Sequence, residues 1–171
     1  MARRLDYSAR YPLHTTNEVY AAMMSREHWD ARIEELRKHS PNDIVSLDAG
    51  DHGITVELRH VLPRDALPDM AQMVVHRDMV ITRRESYGPY GPEVTGEYTA
   101  EIPNSPGTLG GTMRLFPTET GCTLRTSSRA QVHLPFLGRR LEQLMLVNLV
   151  DLFRAEAEVT KIWLDQQYPV G

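Results

Sequence analysis

The chain has 171 residues, 25% of them charged and 41% hydrophobic, with a net charge of −4. That length supports one domain spanning 1–171 with a core of its own, and a lone cysteine, Cys122, excludes an internal disulfide. The acidic balance gives no electrostatic reason to expect a nucleic acid or an anionic membrane as partner.

Residues 2–11 alternate, with Leu5, Tyr7, Ala9 and Tyr11 on one face, and predict a strand. Thr15 with Glu18 three residues on makes a capping box for a short helix reaching Met23 or Met24. Ser25 is placed to cap a second helix, where Trp29, Ile33 and Leu36 recur at helical spacing and Glu34 pairs with Lys38 outside. Ser40-Pro41-Asn42 stops it. The period then drops to two. Strands are predicted over 43–49 and 52–62, joined by a Gly50-Asp51 turn, and then over 78–87, 94–102, 108–116 and 122–134. Residues 63–68 break this pattern, and 69–75 read as a short helical or irregular crossing. Gly/Pro clusters at 88–92, 103–107 and 117–121 make a meander the natural topology. From Arg139 to Gln167 a run of helix formers predicts one helix of about 45 Å at roughly 1.5 Å per residue.

The strand faces sort cleanly. One collects Ile54, Val56, Leu58 and His60; Val94, Gly96, Tyr98, Ala100 and Ile102; Leu109, Gly111, Met113 and Leu115; and alternate residues from Cys122 to Leu134. The other carries Glu57, Arg59, Glu97, Glu101, Arg114, Arg125, Arg129 and Gln131, so one face is buried and one wet. On the last helix Leu141, Leu144, Met145, Asn148, Leu152, Ala155, Val159, Ile162 and Trp163 form the stripe expected to meet the sheet. Leu146, Leu149 and Phe153 widen that stripe on one flank. The N-terminal residues hold no apolar stretch suited to a signal peptide, and the longest apolar run, 144–147, is too short to cross a bilayer. The expectation is a cytoplasmic protein that is not an integral membrane protein.

A strand, two short helices, six meandering strands and a long C-terminal helix is the element order of the START-like (SRPBCC, helix-grip) superfamily. Within it the chain resembles an actinobacterial family of unknown function, DUF2505. The resemblance rests on Leu134-Pro135-Phe136-Leu137-Gly138-Arg139-Arg140-Leu141-Glu142 and Glu156-Ala157-Glu158-Val159-Thr160-Lys161-Ile162-Trp163-Leu164. Tyr7-Ser8-Ala9 and Thr15-Thr16-Asn17-Glu18-Val19-Tyr20 add to it. It implies an α+β fold in which a curved seven-stranded antiparallel sheet grips the C-terminal helix. It also implies an apolar pocket between them for lipids, sterols, polyketides or similar molecules. It implies no reaction and brings no catalytic residues.

The inner face is light at Gly96, Ala100, Gly111, Ser128 and Ala130. Space for a ligand and a closely approaching helix or curved sheet account for this equally well. Asn148 is the polar residue on the apolar stripe, where an unpartnered amide would cost about 1–3 kcal/mol. It therefore meets a ligand or bonds an inward hydroxyl such as Thr126 or Ser128. His60 ends an apolar alternation, either as a ligand-orienting group or base or as a satisfied core histidine. The remaining histidines have no metal-ligand spacing, and Cys122 reads as a small core residue. The expectation is noncatalytic binding of a hydrophobic small molecule, without metal or cofactor, by Leu58, His60, Tyr98, Met113, Ser128, Met145, Asn148 and Leu152. One alternative is a cyclase or aromatase-type enzyme in which His60 and Tyr98 carry the work. Another is an interaction protein with a filled core, forming a homo-oligomer through the C-terminal helix.

Overall fold

The computed structural model describes residues 2–103 and 105–169; Asn104 of the expected 103–107 turn lies outside them. The first strand, β1 (Arg3–Pro12), leads into α1 (Thr16–Met24) and α2 (Arg26–Arg37). Then come β2 (Asn42–Gly50), β3 (Gly53–Leu62), a 3-10 turn (Arg64–Ala66) and the one-turn α3 (Asp69–Gln72). Four more strands follow: β4 (Met79–Tyr87), β5 (Val94–Glu101), β6 (Gly107–Pro117) and β7 (Gly121–Val132). The long α4 (Gly138–Gln167) closes the order. The strands form one seven-stranded sheet in the order β1-β7-β6-β5-β4-β3-β2, antiparallel throughout. This is the helix-grip α+β architecture.

Local chemistry accounts for the early helices. Thr15 Oγ1 accepts from the Glu18 N–H at 3.1 Å, while the Thr15 N–H donates to Glu18 Oε1 at 2.8 Å. Both arms of the capping box are present. Ser25 precedes α2 without a side-chain cap bond, and Lys38 pairs with Glu35 rather than Glu34. Trp29, Ile33 and Leu36 pack against Val56 and Leu58 of β3, as their helical spacing predicts. A second, larger cluster joins Val19, Tyr20 and Met23 of α1 to Tyr11, Ile54, Tyr98, Met113, Leu115, Leu149 and Leu164.

The light inner face has a packing explanation at two of its glycines. Gly96 pairs with Tyr87 and Gly111 with Tyr98. A Cβ on Gly96 would lie 2.8 Å from Tyr87 Cδ1, and one on Gly111 2.7 Å from Tyr98 Cε1. Each tyrosine ring folds over the glycine of the neighbouring strand, so the small residues hold aromatic rings rather than open space.

The orientation of α4 departs from the expected stripe. Leu146, Leu149, Glu156, Thr160 and Leu164 are buried, whereas Asn148 and Ala155 are exposed and Ile162 is half exposed. From Met145 onward the inward positions sit one residue later than hydropathy alone suggests. The reason is electrostatic: Glu156 pairs with Arg83 and Arg32, and that pairing turns a charged position inward and apolar Ala155 and Ile162 outward. Asn148 therefore faces solvent and reaches neither Thr126 nor Ser128. Of the apolar residues that would carry self-association through this helix, Leu146 and Leu149 are buried, Val150 and Phe153 half-buried, and Val147 is exposed.

Candidate functional site

Strand alternation on β4 sends Arg83, Glu85 and Tyr87 to the buried face, opposite Leu58, Val56 and Ile54 of β3. Arg83 Nε and Nη2 donate to Glu85 Oε2 at 3.0 and 2.5 Å, and Nη2 also donates to Glu156 Oε1 at 3.0 Å. The Tyr87 hydroxyl donates to Glu85 Oε1 at 3.0 Å. Arg32 of α2 brings Nη2 to 3.0 Å from Glu156 Oε2 while its guanidinium stacks 4.4 Å from the Trp29 ring centre. That ion pair lacks hydrogen-bond alignment and leaves Glu156 Oε2 without a hydrogen-bond partner; Arg32 Nε and Arg83 Nη1 likewise have none among the described residues. Buried Arg83, partly buried Arg32 and two buried carboxylates thus compensate each other between sheet and helices.

Charge compensation sets the protonation states. Burial alone would raise the Glu156 carboxyl, but Arg32 and Arg83 together outweigh it and hold it down to about 2. Burial likewise opposes the Arg83 charge, and Glu156 and Glu85 override it, raising Arg83 above its ordinary value. The Tyr98 hydroxyl bonds Ser128 Oγ at 2.6 Å and is pushed up to about 12, mainly by burial.

Beside this network lies a cavity of about 40 Å³. One wall is Tyr7, Tyr98, Met113, Leu124 and Phe153; the other is Arg32, Arg83, Glu85 and Glu156. Tyr98 meets Phe153 edge to face at 5.8 Å between ring centres, and Tyr7 meets it at 6.3 Å, so Phe153 occupies the middle of the aromatic wall. The volume suits water and is far below the roughly 300–1,000 Å³ of sites for drug-sized molecules.

The expected site residues divide accordingly. Tyr98 and Met113 line the cavity, and Ser128 supports Tyr98 from behind. Leu58 lies in the neighbouring cluster under α2, and half-buried Leu152 packs against both clusters. Met145 is half-buried and outside the lining. Asn148 is on the solvent side of α4 and cannot line a cavity beneath it. His60 is buried, but its Nδ1 is bonded to Asn42 Oδ1 and it does not line the cavity. Burial, reinforced by Arg83, lowers it to about 4.

Sequence reasoning missed Arg32, Arg83, Glu85 and Glu156. The signal was present in part: Arg83, Glu85 and Tyr87 alternate in a strand beside the apolar inner face of β3, and Glu156 and Thr160 are one turn apart on α4. His28 was also passed over. Its Nε2 bonds Thr160 Oγ1 at 2.8 Å, and burial together with Arg32 lowers it to about 3.

Among the described residues no helix is long and apolar enough to cross a membrane. An uncharacterised protein of Mycobacterium tuberculosis H37Rv is 29% identical over 175 residues, covering 96% of this chain and 98% of that relative. A Mycobacterium bovis counterpart matches equally. Among solved structures, TTHA0849 from Thermus thermophilus aligns over 94% of this chain and 97% of its own, with 13% identity and a TM-score of 0.58. The di-domain ARO/CYC StfQ from the steffimycin biosynthetic pathway aligns over 99% of this chain and 53% of its own, with 14% identity and a TM-score of 0.63. These structural likenesses establish the fold alone. The DUF2505 model, described as a protein of unknown function, matches residues 6–164, and the chain belongs to that family.

Proposed function

We propose that this protein binds a small hydrophobic molecule between the sheet and α4, as a noncatalytic carrier or sensor, in a cavity that widens around its ligand. One observation carries the reading: an aromatic and aliphatic wall faces a buried arginine whose Nη1 has no acceptor among the described residues. Apolar burial, at about 25 cal/mol per Å², supplies most of the affinity, and Arg83 Nη1 orients an acceptor oxygen on the ligand. The arginines and carboxylates balance, so a neutral carbonyl or hydroxyl oxygen completes the site without adding an unpaired charge. Phe153 and Tyr7, both half-buried, are the rings that move to make room. The fold shared with an ARO/CYC protein of a biosynthetic pathway is compatible with small-molecule binding.

The noncatalytic reading is supported by the titration of the groups present. Tyr98 is pushed up to about 12, Glu156 is held near 2 by its arginines, and His60 lies outside the cavity, so none is tuned to exchange a proton near neutrality. Native mass spectrometry with organic extraction of the purified protein tests the proposal. A stoichiometric apolar molecule, lost together with probe binding in Arg83→Met and Phe153→Trp variants that stay folded, is the expected result. An empty protein that also fails to bind 1-anilinonaphthalene-8-sulfonate in its native state would overturn it.

A further inference from the structure

The start of β1, the end of β7 and the start of α4 meet at one end of the sheet. Arg3 pairs with Ala130, and Arg3 Nη1 donates to Gln143 Oε1 of α4 at 3.4 Å. Between β7 and α4 the chain turns through Leu134-Pro135-Phe136-Leu137. Hydrogen bonds from the Leu137 N–H to Pro135 O (2.8 Å) and from the Gly138 N–H to Leu134 O (3.0 Å) hold this turn. At its tip Phe136 takes a left-handed backbone, φ 66°, and its ring is fully exposed. A bulky residue in that conformation is uncommon, and here it gains no burial from the rest of the chain.

The charge around this tip is predominantly positive. Arg3, Arg4, Arg129, Arg139 and Arg140 are all exposed, as is His133. No salt bridge among the described residues joins any of these arginines to a carboxylate. Arg4 and Arg129 are direct cross-strand partners, a like-charge pairing that destabilises a sheet. Of the nearby carboxylates, Glu142 is buried and accepts from the Val132 N–H at 2.8 Å; exposed Asp6, diagonal to Arg129 on β1, and exposed Glu101, at the same end of β5, share the wet face but form no salt bridge with these five arginines among the described residues. In a chain of net charge −4, so many unpaired arginines around one exposed aromatic ring is a local reversal that the total charge conceals.

We infer that this end of the molecule docks on an anionic phospholipid surface, with Phe136 inserted among the acyl chains and the arginines on the headgroup phosphates. The exposed ring decides between polyanions: a nucleic acid backbone satisfies arginines but offers a protruding phenylalanine no apolar medium. The inference rests on surface residues remote from Arg83 and does not depend on ligand binding in the cavity.

Vesicle flotation tests it, using phosphatidylcholine alone against an equimolar mixture with phosphatidylglycerol. Binding to the mixture only, weakened by added salt, is the expected result. Phe136→Ala should weaken it about tenfold, and each of Arg139→Ala and Arg140→Ala about fivefold. All three side chains are exposed, so circular dichroism and thermal midpoint should stay at wild-type values. A Phe136→Trp variant should keep binding and add a blue-shifted emission component with the mixed vesicles. Failure to float with the mixed vesicles overturns the inference. So does equal flotation with both compositions, or salt-sensitive binding to duplex DNA that is unaffected by Phe136→Ala.

Discussion

The buried network makes a sharp energetic prediction at Glu156. Replacing it with Gln keeps the volume and removes the charge that Arg83 Nη2 and Arg32 Nη2 each approach at 3.0 Å. Arg83 retains Glu85, whereas Arg32 has no other carboxylate partner among the described residues. A carboxyl held from its ordinary 4.5 down to about 2 corresponds to about 3 kcal/mol of stability near neutrality, at about 1.4 kcal/mol per tenfold. That agrees with the roughly 3–5 kcal/mol typical of removing one partner from a buried pair. For a chain of this size the loss should lower Tm by about 6–12 °C. The pH dependence follows from the sign of the shift. The unfolded carboxylate takes up a proton first, so the stabilisation is complete above 4.5 and disappears as pH falls from 4.5 to about 2. Urea unfolding of wild type and Glu156→Gln across that window should give curves that differ near neutrality and converge in acid. A difference below about 1 kcal/mol near neutrality would refute the argument, because that is the scale of an exposed pair. A difference that persists unchanged into acid would refute it too, since packing rather than charge would then be responsible.

Further outcomes follow from the same geometry. His28 and His60 are held neutral in the fold, at about 3 and about 4 against an ordinary 6.5. The unfolded chain therefore binds protons first, and stability should fall as pH drops below 6.5; the double variant His28→Gln, His60→Gln should flatten that slope between 6.5 and about 4 in pH-resolved unfolding. Gly111→Ala would drive a Cβ into the Ser127 carbonyl oxygen and to 2.7 Å from Tyr98 Cε1, so the β7 backbone as well as the ring must shift; it should cost about 3 kcal/mol by thermal unfolding, with the Tyr98–Ser128 bond disturbed. Asn148→Ala, on the solvent side of α4, should change stability by no more than about 0.5 kcal/mol; a large loss would contradict the helix orientation. Phe153→Ala should enlarge the cavity, lower stability by about 2 kcal/mol and increase uptake of an apolar fluorescent probe in equilibrium titration.

The candidate site was only half visible in the residues. Tyr98 and Met113 were recoverable because strand alternation assigns them to the inner face wherever the sheet lies. Asn148 was misplaced because the apolar pattern of α4 is broad: residues 144–147 and 149–150 are all hydrophobic, so more than one stripe fits hydropathy equally well. His60 has the expected burial, yet its bond to Asn42, a residue that reads as a helix stop, takes it out of the site.

Local chemistry by itself determined the elements and their order: the Thr15–Glu18 capping box, the helical spacing of Trp29, Ile33 and Leu36, and the Gly/Pro turns between alternating strands. Those signals depend on residues within a few positions of one another, and so they survive without knowledge of the fold. Only the tertiary structure decided which face of α4 turns inward and what fills the space beneath it. Arg83 and Glu156 are 73 positions apart, and Arg32 comes from a third element. A hydropathy pattern treats each of these charges as a solvent-facing residue. Their burial becomes tolerable only when the partners converge, because the cost of desolvating each charge is offset by the opposite charges brought to about 3 Å by the completed fold.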